Sequence, residues 1–307
     1  MKYRKLGNTD MEVSAVCLGS WVFGGDCWGD VEDLQSVQVV KEAIENGINF
    51  IDTAPVYGSG RSEKVIGRVL SKADEKIFVA TKCGLEIEGK AIRPNLTKEF
   101  IREEIENSLK RLNVETVDLY QCHWPDPNTP MEESFGELNA LVGEGKIKHI
   151  GVSNFSEEQL AEALTFSNVV SNQVQYSLLD REIEEDLIPF CGEKGVSILS
   201  YGPLGGGILT GKYKELPQVS KGDVKSFFYK FYREPFWSQA RGLVDVLDDI
   251  ADEHGVPTSQ VAMNWVLSRS EVGSCIVGCR SSDQLKSNIA ASDWELSTEE
   301  LERIPQI

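Results

Sequence analysis

G-I-N-F-I-D-T-A-P-V-Y-G, residues 47–58, reads as a buried strand over Asn49 to Thr53 that carries an acid, Asp52, into a loop bearing Tyr57. Burying a carboxylate is costly unless a cation or hydrogen-bond donors meet it. Two further runs supply candidates. I-F-V-A-T-K, residues 77–82, ends in Lys82, and V-D-L-Y-Q-C-H-W, residues 117–124, closes its apolar stretch at His123. Three successive strand-like runs thus deliver Asp, Lys and His at their C-terminal ends.

Working outward, strand-like and helix-like runs alternate along the chain. Strands are expected near 15–19, 49–53, 77–82, 117–122, 147–152, 170–175, 196–201 and 274–278. Helical patterns lie near 33–46, 62–71, 97–112, 131–144, 156–166, 183–194, 240–254 and 281–291. Alternating β and α elements imply parallel strands, and eight repeats favour closure into a (β/α)8 TIM barrel. The opening K-Y-R-K-L-G-N-T-D-M-E-V-S suggests a short N-terminal β-hairpin. Thr97 and Ser156 stand where helix caps belong, and Gly47, Gly145 and Gly195 where helices should stop. No linker interrupts residues 1–307, so a single domain is expected. Long loops are expected on the barrel's C-terminal face, above all the connection over residues 205–238. Its aromatic run F-F-Y-K-F-Y-R-E-P-F-W reads either as a mobile flap over residues 213–238 or as a short extra helix packed on the barrel.

The chain has 307 residues, 41% of them hydrophobic, and a net charge of −18 from 49 acidic and 31 basic residues. So acidic a surface excludes nucleic acid and anionic membrane as partners, because phosphate binding needs basic patches. Seven cysteines, at 17, 27, 83, 122, 191, 275 and 279, show no C-x-x-C pair. Reduced thiols in a cytoplasmic protein are the expectation. The N-terminus has no signal-peptide core, and the longest uncharged stretch, residues 13–25, is too short to span a bilayer. Three dispersed histidines without ligand spacing argue against a metal.

The Asp52, Tyr57, Lys82 and His123 constellation has a chemical logic. A phenol is a weak proton donor at neutral pH; a neighbouring ammonium lowers its pKa, and a carboxylate holds the lysine charged and in place. The tyrosine then protonates an oxygen that gains charge as a hydride arrives, and histidine orients the same carbonyl. A lone loop tyrosine is usually packing and a strand-end aspartate often only a cap; the joint pattern carries the reading. Of the other histidines, His149 belongs on a barrel wall and His254 at a helix C-terminus.

On these residues the chain resembles the aldo-keto reductases over nearly its whole length. Residues 47–58 match the family's first signature; S-N-F at 153–155, N-Q at 172–173 and Y-G-P-L-G at 201–205 match its cofactor-contact segments. V-G-C-R-S-S-D-Q-L-K-S-N, residues 277–288, is similar to the segment that grips the adenosine end. H-W-P-D-P at 123–127 and L-T-G-K-Y at 209–213 make the bacterial general-stress type the most similar branch. No G-x-G-x-x-G follows the first strand, so a Rossmann-type site is unsupported. The resemblance implies NADP(H) laid across the barrel mouth, contacted by Gly19, Ser20, Trp21 and Asp52. It implies Ser153, Asn154 and Gln173 at the carboxamide and Tyr201 stacked on the nicotinamide. Gly202, Leu204, Gly206 and Lys212 would meet the pyrophosphate, and Gly278, Arg280, Ser281, Gln284 and Asn288 the adenosine end. Vertebrate members carry lysine then serine where Gly278 and Cys279 stand, which leaves selectivity for NADP to Arg280 and Ser281. Trp21, Trp28, Tyr57, His123 and Trp124 are expected around a small carbonyl substrate. The family also allows a sugar or polyol dehydrogenase, or a cofactor-binding regulatory module like the potassium-channel β subunits. The first strand begins within ~15 residues of Met1, which leaves no added partner-binding arm in expectation.

Overall fold

Eight short runs, buried along almost their whole length, become the staves of one closed barrel. The computed structural model describes residues 1–25, 29, 31–73, 75–89, 91–220 and 222–307. Strands β1 (Tyr3–Lys5) and β2 (Glu12–Ser14) form the expected antiparallel hairpin. The staves are β3 (Val16–Gly19), β4 (Phe50–Asp52), β5 (Phe78–Cys83), β8 (Val117–Cys122), β9 (Ile147–Ser153), β10 (Val169–Gln175), β11 (Ser197–Tyr201) and β12 (Val272–Gly278). Each is parallel to its neighbours, and β12 closes on β3. All eight expected strands are present, within two residues at each end.

Inside the barrel, Cys17, Phe50, Phe78, Ala80, Leu119, Val170, Leu199 and Ile276 form one apolar cluster. Leu6, Met11 and Val13 from the hairpin join it and plug the N-terminal end. Burying a side chain of that size contributes roughly 1.5–3 kcal/mol. The cluster closes the barrel floor and leaves the opposite end as the place for polar chemistry.

Helices Asp33–Glu45, Arg61–Leu70, Lys98–Leu112, Met131–Gly143, Glu157–Phe166, Leu187–Lys194, Phe236–His254 and Ser282–Ala290 wrap the outside. Ser156 forms a full capping box with Gln159, whereas Thr97 stands at its N-cap with no side-chain cap bond and its hydroxyl turned to Asn95. Helix Thr258–Leu267 escaped the sequence reading because every residue from Gln260 to Leu267 is buried, which erases the one-sided apolar stripe. Helix Thr298–Arg303 and the mostly exposed hairpin of β6 (Leu85–Glu88) and β7 (Ala91–Pro94) are also additions.

In the long connection, Val224–Phe228 is a short helix, and Tyr229, Phe231, Tyr232 and Trp237 are buried. That is the arrangement of the packed extra helix, with Phe227 the one aromatic side chain of the run largely in solvent. Among the described residues no helix is long and apolar enough to cross a membrane.

Candidate active site

The C-terminal ends of β4, β5 and β8 bring three of the four expected groups to one place, and the loop after β4 folds the fourth over them. Lys82, fully buried, donates to Asp52 Oδ1 at 2.7 Å, to the Thr53 carbonyl at 3.0 Å and to Tyr57 Oη at 3.2 Å. An ammonium has three donors, so all three are used. The Asp52 carboxylate is met on its other oxygen by Gln173 at 2.7 Å and Gln121 at 3.3 Å. Its own backbone carbonyl accepts from the Ser20 amide and hydroxyl. Both charges of the Asp52–Lys82 pair are therefore answered, as their desolvation demands.

The Tyr57 ring meets the His123 ring edge-on at 6.0 Å between centroids and lies near-parallel to Trp21 at 5.9 Å. Burial pushes the Tyr57 phenol up; Lys82 pulls the other way without winning. The expectation of a lowered tyrosine pKa is thus corrected: desolvation of the phenolate outweighs one ammonium that is already shared with Asp52. For Lys82 burial works against the charge, but Asp52 and the Tyr57 oxygen more than offset it, and its pKa rises. Burial, helped by Lys82, holds His123 well below the usual histidine range, so the imidazole is neutral at pH 7.

Around this centre lies a polar rim. Ser153 ends β9, and Asn154 follows in the left-handed region at φ 61°. Asn154 donates to the His123 carbonyl at 3.1 Å and accepts from Tyr201 Oη at 2.9 Å. Ser153 donates to the Gln173 carbonyl at 2.9 Å. Tyr201 ends β11 and opens a glycine run in which Gly202, Gly205, Gly206 and Gly207 all have positive φ. A Cβ on Gly206 would lie 2.7 Å from the Tyr229 ring, so glycine there lets the long connection pack down. Lys212 reaches back beside Gly207. Gly19 and Gly278 are register partners at the ends of β3 and β12, next to Arg280 and the helix capped by Ser281.

The Aldo/keto reductase family profile matches residues 15–307. The chain belongs to that family. It is 34% identical to the aldo-keto reductase YhdN of Bacillus subtilis, over all of this chain and 93% of that protein. It is 34% identical to the NADH-specific methylglyoxal reductase of Escherichia coli, over 97% and 95% of the two chains. Among solved structures it matches the glycerol dehydrogenase of Gluconobacter oxydans with a TM-score of 0.92 and 36% identity, covering 99% of this chain and 94% of that one. It is therefore an aldo-keto reductase in fold and an oxidoreductase of carbonyl compounds in class.

The structure of this aldo-keto reductase groups its expected site residues unevenly. Asp52, Tyr57, Lys82, His123, Trp21, Asn154, Gln173 and Tyr201 are linked by the contacts above. Ser20 is fully buried, held between Asp52 and Ser62, and acts there as scaffold for the β4 end. Arg280, Ser281 and Gln284 sit apart on the next helix entry, where the Arg280 amide bonds Gln284, and Asn288 is buried further along that helix. Trp124 is 42% exposed beside His123; Trp28 lies outside the described residues.

Two neighbours were not anticipated. Phe228 touches Trp21 and Tyr201 at ring-centroid distances of 5.8 and 6.4 Å, a contact no local pattern announces. Gln121 had a usable signal: period-2 alternation puts residues 119, 121 and 123 on one face of the strand.

Proposed function

We propose that the chain is an NADPH-dependent reductase of small aldehydes and ketones in which Tyr57 hands a proton to the carbonyl oxygen. The observation that carries this reading is the saturated Lys82 ammonium, whose third hydrogen bond goes to the Tyr57 oxygen. Tyr57 accepts from Lys82, which leaves its own O–H to donate to a substrate oxygen on the side of the ring where His123 and Trp21 lie.

The rim fits a nicotinamide cofactor in its donor chemistry. Ser153, Asn154 and Gln173 offer amide and hydroxyl partners for a carboxamide, and the half-buried Tyr201 ring, pinned through its hydroxyl, suits a planar heterocycle. The glycine run and Lys212 suit a pyrophosphate. When bound, the reduced nicotinamide supplies the hydride to the carbonyl carbon. The chain's own residues do the rest. Burial keeps Tyr57 protonated at neutral pH. As the proton leaves, Lys82 stabilises the phenolate across a bond that already exists. Neutral His123 donates to the carbonyl oxygen and orients it without competing as an acid. The Trp21 ring, lying against Tyr57, shields the phenol from water on that side.

The preference for NADPH rests on Arg280, with Ser281, at the entry of the last barrel helix. The chain works as one barrel domain in the cytoplasm. A second reading, alcohol oxidation with a polyol as substrate, is favoured by the likeness to the Gluconobacter enzyme. A panel of aldehydes, ketones and polyols with NADPH and NADH, followed by absorbance of the reduced cofactor, tests both. Faster aldehyde reduction with NADPH is expected. Turnover of polyols alone would select the second reading, and no turnover at all would reject both.

A further inference from the structure

Interior layers of such barrels are usually filled by bulky aliphatic side chains from alternate strands. Here the uppermost layer departs from that rule. Counting round from β3, the second, fourth and sixth staves are β4, β8 and β10, and they contribute Asp52, Gln121 and Gln173. All three are buried. Gln173 Nε2 donates to Asp52 Oδ2 at 2.7 Å and to Gln121 Oε1 at 3.4 Å, while Gln121 Nε2 donates to Asp52 Oδ2 at 3.3 Å. The intervening strand makes room for this triangle. A Cβ on Gly151, the register partner of Gln121, would stand 2.9 Å from Gln121 Cγ and 2.6 Å from Ser171 Oγ.

We propose that Gln121 is a positioning residue that couples cofactor docking to the proton-donating chain, by fixing the Gln173 amide and holding the second oxygen of Asp52. The proposal rests on the NADPH-dependent reading above and adds a residue to it. An amide carries two donor hydrogens and one acceptor oxygen. With the Gln173 nitrogen turned onto Asp52 and Gln121, its oxygen is the atom left to accept from a carboxamide amine. Gln121 sets that direction, because its own oxygen accepts from Gln173 while its nitrogen serves Asp52. Turning either amide over would bring an oxygen against the carboxylate. The charged groups beside position 121 are Asp52, which it bonds, and Lys82, its register partner on β5. Loss of Gln121 therefore loosens the cofactor grip and disturbs the Asp52–Lys82–Tyr57 chain in one stroke.

Two variants of the full chain test this, with wild type as control. In Gln121→Met the volume is kept and the amide removed. NADPH dissociation, read by protein fluorescence quenching, should weaken about tenfold and kcat should fall about tenfold, the loss expected for about one buried hydrogen bond in each role. KM for the carbonyl should stay within about twofold, because no substrate contact is altered. Gln121→Glu sets two carboxyl groups in contact, and one of such a pair keeps its proton to higher pH. While protonated, the introduced carboxyl donates to Asp52 as the amide did, so activity relative to wild type should approach unity at low pH and fall as that proton is lost. A purely structural glutamine would give the same ratio at every pH. Met-variant affinity and kcat within twofold of wild type, or a flat ratio for Gln121→Glu, would overturn the proposal. If Gln121→Met fails to fold, the pH ratio of Gln121→Glu decides alone. A wild-type chain inert toward every carbonyl would reject the proposed function instead, and the fluorescence titration separates that outcome from failure of the coupling.

Discussion

Lys82 Nζ lies 2.7 Å from Asp52 Oδ1, with the two side chains 0% and 3% exposed. A pair so deeply buried is a poor source of stability, since the desolvation of both ions rivals their attraction. Its value lies in delivering a fixed ammonium to the Tyr57 oxygen 3.2 Å away. The barrel supplies the rigidity: β4 and β5 are register neighbours, with Asp52 opposite Ala80 two residues before Lys82.

Tyr57→Phe should lower turnover by about 10²–10⁴-fold, the usual worth of a positioned proton donor. NADPH affinity should stay within about twofold, since the hydroxyl acts where charge develops on the substrate. Steady-state rates and a fluorescence titration check both halves. Near wild-type aldehyde reduction by the variant would end the proton-donor assignment.

With Tyr57 as the proposed proton donor, reduction would need it protonated, so activity should be lost only as pH rises through the tyrosine's ionisation. Burial sets that ionisation above the ordinary value, so the rate should be level through neutrality and fall in the alkaline range. Lys82 pulls the tyrosine down, so Lys82→Met should move the alkaline limb to still higher pH while lowering kcat. The same variant strands Asp52 and should cost roughly 3–5 kcal/mol in urea unfolding. An alkaline limb unmoved, or moved downward, would refute the electrostatic link.

Arg280→Ala should weaken NADPH binding strongly and NADH binding little, because a guanidinium meets a phosphate through charge-assisted bonds that NADH cannot offer. Equal losses would assign Arg280 a structural role. Titrations with both cofactors decide it.

Glu104 lies on helix Lys98–Leu112 and accepts from the Gly84 amide at 2.5 Å. Burial pushes its carboxyl up to about 8, the Gly84 bond and Arg111 opposing and Glu63 adding to the rise. A carboxyl raised on folding binds its proton more tightly in the native state. Its stabilising contribution is complete below the ordinary value of 4.5 and drains away as pH rises to about 8. The loss approaches about 1.4 kcal/mol per pH unit within that window. Glu104→Gln should flatten the dependence and stabilise the protein most at alkaline pH. Unfolding curves at pH 6 and pH 9 with identical wild-type and variant differences would contradict this.

Phe228 bridges Trp21 and Tyr201 from the long connection. If the proposed substrate site lies beside Trp21, Phe228→Ala should open space there and raise kcat/KM for bulky aldehydes relative to small ones, by about 10-fold for a contact of this kind. An unchanged ratio across an aldehyde series would place the ring outside the substrate's reach.

The sequence alone determined the order of elements and the faces of the strands. Alternation in V-D-L-Y-Q-C-H-W turns Leu119, Gln121 and His123 to one side, and the charged ends of three apolar runs mark the working end of the barrel. These are local properties, set by a two-residue period and by the cost of burying charge. Helix Thr258–Leu267 was lost to the same logic, because uniform burial leaves no stripe to read.

Which side chain meets which was decided by the tertiary structure. Gln121 reaches Asp52 across 69 positions of sequence, and Gln173 reaches it across 121, only because barrel closure sets β4, β8 and β10 around one axis. Phe228 finds Trp21 because Gly206 lets Tyr229 and its neighbours pack down on the rim. The direction of the Tyr57 shift was likewise out of reach of the sequence, since it depends on how much water the folded loop excludes from the phenol and how much of Lys82 is left for it once Asp52 is satisfied.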